Sequence, residues 1–260
     1  MRPLSYTLFI GKELHYLEQV DSTNNYLKHL IEKNGKQQEG FLVATRHQTH
    51  GRGQSGNTWL SDAGKNIMVS VLFYPQFLEP RQIFYFNKAV ALAVRECTAS
   101  IINNIDPAPA VTIKWPNDIM ISEKKVAGIL IENSLRNNGI EYSIAGIGIN
   151  LNQDFKTETG FNAISLMDVI NREVDIVESI NLLCGLLEKY YLVLKSFDFK
   201  KIEDMYHAYL FGVNTERKFI LDNTHIRAVI KGVNTKGQLM IETEGRIREF
   251  NSKEIIYVWG

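Results

Sequence analysis

Two stretches of this chain, residues 125–132 and 142–149, are apolar at almost every position, and that pattern leaves few places to put them. A strand with one face in water alternates polar and apolar side chains. A strand that is apolar throughout belongs in a sheet covered on at least one face. Residues 110–115 read as a third strand of this kind. Residues 14–20, 41–45 and 66–74 supply three more, the last ended by Pro75.

Helical spacing supplies the cover. Tyr26, Leu27, Leu30 and Ile31 follow a choice of caps in Asp21, Ser22, Thr23 and Asn24, and Asn34-Gly35 stops that helix. Pro80 opens a long helical pattern to about Ile102, with Ile83, Phe86, Ala89, Val90, Ala93 and Cys97 on one face. Residues 175–196 and 199–210 read as two more helices. After Thr215 the texture changes to short β-like runs at 219–221, 226–231, 238–243, 247–250 and 254–258, punctuated by Gly232, Gly237 and Gly245. That is the spacing of a small β-barrel. The expected organisation is an α+β domain over residues 1–214 and a compact β module over 215–260.

Composition narrows the function. Of 260 residues, 45% are hydrophobic and 22% charged, and Lys+Arg balance Asp+Glu at 29 each. A neutral chain is ill suited to hold nucleic acid by broad phosphate attraction. Cys97 and Cys184 lie in apolar, helix-like stretches and read as buried reduced thiols; two such residues cannot by themselves make a zinc site. His47 and His50 flank Gln48 without a third ligand nearby, so no metal site is expected. The N-terminus has no signal-peptide core, and no apolar stretch approaches the roughly 20 residues that span a bilayer. A cytoplasmic protein is expected.

Four segments can carry chemistry. Gly51-Arg52-Gly53-Gln54-Ser55-Gly56-Asn57-Thr58-Trp59 combines glycines that leave backbone amides able to face an anion, an arginine suited to carboxylate or phosphate, and a broad indole. Its glycines alone fit a surface hairpin equally well. Lys114-Trp115-Pro116-Asn117-Asp118 ends a predicted strand, where ligand loops emerge or where an edge strand simply turns. Lys125 begins an otherwise apolar strand that includes Gly128. It is either a snorkelling side chain or a charge held beside a developing anion. Strand alternation requires that either it or Lys124 face solvent. Gly146-Ile147-Gly148-Ile149-Asn150 places two glycines in a strand, a sign of close approach by a ligand or another backbone. There is no dinucleotide fingerprint, Walker A loop or nucleophile elbow.

The order of these pieces is more specific than any one of them. Asp-Ser-Thr-Asn, Gln-x-x-Gly-Arg-Gly-x-x-Gly-x-x-Trp, Lys-Trp-Pro-Asn-Asp, Lys-x-Ala-Gly-Ile-Leu and Gly-x-Gly-x-Asn, in that succession from about Val20 to Asn152, resemble the biotin–protein ligase family. The resemblance implies a mixed sheet with packed helices, the class II synthetase-like core of biotin and lipoate ligases, followed by a small SH3-like β-barrel. It implies that biotin and ATP, with Mg2+, give biotinyl-5′-AMP, and that a lysine of a biotin carboxyl carrier domain of a biotin-dependent carboxylase then displaces AMP. By resemblance, Ser22, Thr23, Asn24 and Gln48 bind the biotin head group. Arg52 and its neighbours Gly51 and Gly53 close over biotin and phosphate, and Trp59 lies towards the adenine. Lys125 contacts the biotin carboxyl and the α-phosphate, with Lys114 adding charge. Asn117 helps hold the adenylate, and Gly128 and Asn150 belong to strands lining the pocket.

Two features depart from the family pattern. Many members carry Arg where this chain has Gln54 and Asn57, which predicts weaker retention of the adenylate; position 164 is Ile where many have Thr. The first motif strand begins near residue 14, so no DNA-binding helix-turn-helix and no DNA partner are expected. No membrane partner is expected either, and the chain is read as a monomer or homodimer. A lipoate–protein ligase shares the fold and the adenylate chemistry, but its arginine loop lacks the Gly-x-x-Trp ending. A non-catalytic RNA or adaptor module is a remote alternative, because one Arg-Gly pair in a neutral chain is a poor RNA surface.

Overall fold

The computed structural model describes residues 6–155 and 162–259. Its strands and helices run β1 Leu14–Leu17, α1 Thr23–Asn34, β2 Leu42–Thr45, β3 Ile67–Phe73, α2 Ile83–Ile101, β4 Val111–Lys114, β5 Asp118–Ile121, β6 Lys124–Arg136, β7 Gly139–Ile149, α3 Leu166–Ile170, α4 Ile176–Lys195 and α5 Phe199–Ala208. They continue with β8 Glu216–Leu221, β9 Thr224–Val233, β10 Leu239–Thr243, β11 Arg246–Phe250 and β12 Ile255–Tyr257.

The first seven strands form one sheet in the order β1-β2-β3-β7-β6-β5-β4. Only β1 and β2 run parallel, so the sheet is mixed. The two all-apolar runs are its centre: β7 pairs with β3 on one side and with β6 on the other. One face of the sheet is covered by α2 and α4, with Phe73, Phe86 and Tyr191 packed at the contact. Part of the other face is covered by α1, where Leu27 meets Phe41, Val43, Leu72 and Ile144. The rest of that second face carries the site.

Four helices stand where the 3.6-residue spacing puts them. Gly35, at φ +76°, ends α1, and Asp175 caps α4 by accepting from the Glu178 amide at 2.8 Å. Two elements are additional to the sequence reading. Asn117-Asp118 reads as a turn, yet Asp118 already begins β5, which doubles back on β6 through Ser122 and Glu123. Both turn residues are left-handed, at φ 47° and 64°. A two-residue hairpin of that form is usually announced by Asn-Gly or Asp-Gly, and Ser-Glu announces nothing. Helix α3 is five residues long, too short for periodicity to register, and is set by its Ser165–Asp168 capping box and by Asn171 at φ 54°.

The C-terminal strands form a second, antiparallel sheet in the order β11-β10-β9-β8-β12. The tail, expected to be a small SH3-like β-barrel, forms this five-stranded sheet, whose end strands β11 and β12 do not pair with each other. It is docked against α2, α5 and the end of β4. Trp115 is buried and donates from Nε1 to the Gly237 carbonyl at 2.9 Å. The buried Lys88 ammonium reaches Glu203 of α5 at 2.5 Å and the Val233 carbonyl at 3.3 Å. Gly237, at φ +85°, lies so close to Phe84 that a Cβ there would overlap the ring.

Candidate active site

Three glycines of the central strands leave a floor bare of side chains. Gly146 and Gly148 of β7 and Gly128 of β6 face the open side of the sheet. The approach that two glycines in a strand foretell is made by side chains. A Cβ on Gly148 would overlap the Trp59 indole, and one on Gly146 would overlap the Asn24 amide. A Cβ on Gly128 would stand 3.1 Å from Lys125 Nζ. Their role here is space, since none of the three has positive φ. The cavity over this floor is about 220 Å³.

The glycine-rich segment is a closed hairpin. Arg52 bridges Thr58, the Trp59 amide donates to the Gly51 carbonyl at 2.9 Å, and the Gly53 amide donates to the Asn57 carbonyl at 2.7 Å. A Cβ on Gly51 would overlap the Trp59 carbonyl. These glycines let the hairpin close on itself, and the Gly53 amide is committed inside it instead of being left for an anion. Trp59 is thereby laid against Gly128 and Gly148, with its buried Nε1 donating to no acceptor and Lys125 Nζ 5.8 Å from its ring centroid.

The start of α1 forms one wall. Ser22, Thr23 and Asn24 are all buried. Ser22 occupies the N-cap position but makes no side-chain cap. Thr23 donates from its amide and its hydroxyl to Gln48 Oε1 at 2.8 and 3.2 Å. Ser70 Oγ lies 2.7 Å from Thr23 Oγ1 and 2.6 Å from Asn24 Oδ1. A set of hydroxyl and amide groups held in one network suits a small polar head group.

The cations gather around one carboxylate. Lys125 Nζ is 2.6 Å from Asp118 Oδ1, and Lys114 Nζ is 3.6 Å from Oδ2. Register accounts for the second contact, since Lys114 and Asp118 face each other across the β4–β5 hairpin. Lys114 also lies 5.0 Å from the Tyr257 ring and 5.6 Å from the Trp259 ring, so the C-terminal sheet helps aim it. Lys124 is exposed and Lys125 partly covered, the division that alternation requires.

Ser22, Thr23, Asn24, Gln48, Arg52, Gly53, Trp59, Lys114, Asn117, Lys125 and Gly128 thus converge on one cavity. Two expected residues do not line it. Gly51 lies in the hairpin beside a neighbouring hollow. Asn150 is buried behind the strand, where its Nδ2 donates to the Lys125 and Ile164 carbonyls at 3.4 and 3.3 Å. Asn117 lines the cavity but also clasps β6 by donating to the Ile129 carbonyl at 2.8 Å. Arg52 turns to Glu132 and Asn25. Sequence reasoning missed Asp118 as a charge partner although its motif was in view, missed Glu132, and missed Ser252 and Lys253, which reach the rim from the C-terminal unit. No local pattern marks those last two.

The cysteines stay outside the chemistry. Both are free and buried; burial pushes the Cys97 thiol up to about 12 and raises that of Cys184 further. Among the described residues no three His, Cys, Asp or Glu side chains gather as for a metal ion, and no helix is long and apolar enough to cross a membrane.

Comparison with known proteins gives a consistent result. Residues 16–150 match the biotin/lipoate A/B protein ligase family. The bifunctional ligase/repressor BirA of Bacillus subtilis is 30% identical over 254 residues, which cover 96% of this chain and 75% of that protein. A biotin–[acetyl-CoA-carboxylase] ligase of Paracoccus denitrificans is 36% identical over 111 residues, 42% of this chain and 43% of that one. Among solved structures, the biotin protein ligase of Aquifex aeolicus in complex with biotin and ATP superposes with a TM-score of 0.76 at 28% identity, over 94% of this chain and 97% of that one.

Proposed function

The chain belongs to the biotin/lipoate A/B protein ligase family, and from that premise we propose that it is an ATP-dependent biotin–protein ligase. The observation that carries this reading is the convergence of the Lys125 ammonium, Asp118 and the glycine hairpin over a floor cleared by Gly128, Gly146 and Gly148. The names of the relatives, and the biotin and ATP bound by the Aquifex enzyme, support the same ligands here.

In the first step a carboxylate oxygen of biotin attacks the α-phosphorus of ATP and pyrophosphate leaves. The wall of Ser22, Thr23, Asn24 and Gln48 holds the head group and sends the carboxylate over the glycine floor. Two anions must meet there, so fixed positive charge is needed where negative charge accumulates. Lys125 supplies it, with Lys114 behind. Asp118 keeps both ammonium groups aimed before substrates arrive, and the Asn150 side chain fixes the Lys125 backbone. Asp118, which lines the cavity, is the carboxylate that would hold a magnesium ion carried on the ATP phosphates, where the ion would neutralise phosphate charge. The product, biotinyl-5′-AMP, is a mixed anhydride that water would hydrolyse, and the hairpin with Trp59 shields it.

In the second step the amine of an acceptor lysine attacks the biotinyl carbonyl, AMP leaves, and the nitrogen sheds a proton. That proton passes to water, because Asp118 is already paired with Lys125 at 2.6 Å and with Lys114 at 3.6 Å. A biotin carboxyl carrier domain is the acceptor this reading assigns. The deciding experiment is ATP–pyrophosphate exchange with biotin, with lipoate and with neither. Exchange with biotin alone is expected. Exchange with lipoate alone moves the chain to the lipoate branch of its family, and exchange with neither removes the ligase reading.

A further inference from the structure

Arg52 is the site residue whose surroundings depart furthest from the role its motif implies; the identity of the ligands below rests on the ligase reading. Its Nη1 donates to Asn25 Oδ1 at 2.7 Å and to Glu132 Oε2 at 3.2 Å, and its Nη2 donates to Glu132 Oε1 at 2.9 Å. Three of the five guanidinium N–H groups are therefore engaged, in the two-pronged geometry that carboxylates favour. Both partners are themselves held. Asn25 donates to Asp21 Oδ2 at 2.8 Å. Glu132 lies on the same strand face as Gly128, and its Oε2 also accepts from Asn24 Nδ2 at 2.7 Å. Asn24 is the residue that fills the space over Gly146 and lines the cavity. An anion that took the Nη1–Nη2 fork would displace Glu132 and leave the Asn25 carbonyl without its donor, so only the Nε–H and one Nη2–H stay open to it. Lys125 and Lys114, by contrast, share one carboxylate between two ammonium groups.

We propose that Arg52 is a positioning residue and not a phosphate ligand: it clamps the glycine hairpin to α1 and β6, and Glu132 joins that clamp to Asn24 in the wall of the biotin pocket. The hairpin is preset over the cavity, and its position is tied to the head-group wall through a single carboxylate. A lone ion pair this exposed contributes little to stability. This one acts through geometry, because one carboxylate oxygen, Glu132 Oε2, accepts from both the hairpin and the pocket wall.

The test is a double-mutant cycle in the full chain with Arg52→Ala, Glu132→Gln and the two combined, plus Arg52→Lys and Asn25→Ala. One readout is the rate of proteolytic nicking within the hairpin without ligand; the other is the biotin and MgATP dependence of pyrophosphate exchange. A clamp predicts that Arg52→Ala and Glu132→Gln each speed nicking and raise the biotin KM about tenfold, with the double variant no worse than either. Arg52→Lys does not rescue, because an ammonium cannot make the fork. Asn25→Ala moves both readouts the same way, and the MgATP KM and kcat hold. The proposal is overturned if Glu132→Gln is silent while Arg52→Ala raises the MgATP KM or lowers kcat and Arg52→Lys restores them. Nicking needs no substrate. If the unaltered chain shows no exchange, the ligase reading fails, and the nicking rates alone still decide the clamp: equal, non-additive acceleration supports it, and unchanged rates overturn it.

Discussion

Replacing Lys125 with alanine removes the ammonium that stands over the glycine floor and leaves Asp118 with its negative charge and only the more distant Lys114. Pyrophosphate exchange is expected to fall by about a hundredfold to a thousandfold, the scale of losing one preorganised charge at a reacting centre. Exchange at the normal rate would remove Lys125 from the chemistry. Gly148→Ala probes the floor itself. The new methyl overlaps the Trp59 indole, so Trp59 and its hairpin must lift, and overpacking of this kind costs about 1–3 kcal/mol. A lower melting temperature and a changed Trp59 fluorescence check it; an unshifted spectrum would mean that the indole does not rest there. Gln54 lines the cavity, at a position where the sequence resemblance implies an arginine. Gln54→Arg is expected to slow escape of the bound adenylate, measured as the dissociation rate of biotinyl-5′-AMP, and an unchanged rate would show that this position does not govern release.

At the scale of elements, α2 and α4 are held together by more than apolar packing. Glu96 of α2 accepts from Lys189 Nζ at 2.8 Å and from the Tyr190 hydroxyl at 2.5 Å. Burial works to raise its carboxyl, but these two hydrogen bonds and the nearby Lys189 charge outweigh it and hold the group below its ordinary value of 4.5. A carboxyl lowered by folding stabilises the fold at pH above 4.5 and loses that contribution as the pH falls through its folded value. Glu96→Gln lacks this acid-sensitive component. Its melting temperature should therefore lie below that of the parent at neutral pH, with the gap closing under acid; a constant gap would deny the link. The main helices were legible because a one-sided apolar stripe repeats every turn, as Phe86, Val90, Ala93 and Cys97 do. The strand β5 was not, because its hairpin turn uses Ser122 and Glu123 in a conformation their side chains do not advertise. At the site, the glycines, Trp59 and Lys125 were visible as a motif, whereas Glu132, Ser252 and Lys253 gain meaning only from what folds against them.

The whole molecule depends on the docking of its two sheets. Removal of residues 215–260 would take away the Gly237 carbonyl that receives Trp115 and the Val233 carbonyl that receives Lys88. It would also strip the Tyr257 and Trp259 rings from Lys114 and the Ser252–Lys253 rim from the cavity. Buried polar groups left without partners cost about 1–3 kcal/mol each. A fragment ending at residue 214 is expected to melt well below the full chain and to lose pyrophosphate exchange, as thermal denaturation and the exchange assay would measure. A fragment equal to the full chain in both would make the C-terminal unit a passive appendage.

The sequence by itself determined what is local or periodic: the all-apolar central strands, the helical stripes, the change of texture near Thr215 and the order of motifs that points to the family. Each of these is written in residues a few positions apart, through strand alternation, helical turn or the space a glycine leaves. The tertiary structure alone decided which charges face which. Asp118 takes Lys125 because β5 doubles back beside β6. Arg52 takes Glu132, 80 residues away, because the hairpin folds across the central strands. Electrostatic pairing depends on distance in space, and a sequence carries that distance only after its strands have been placed in register.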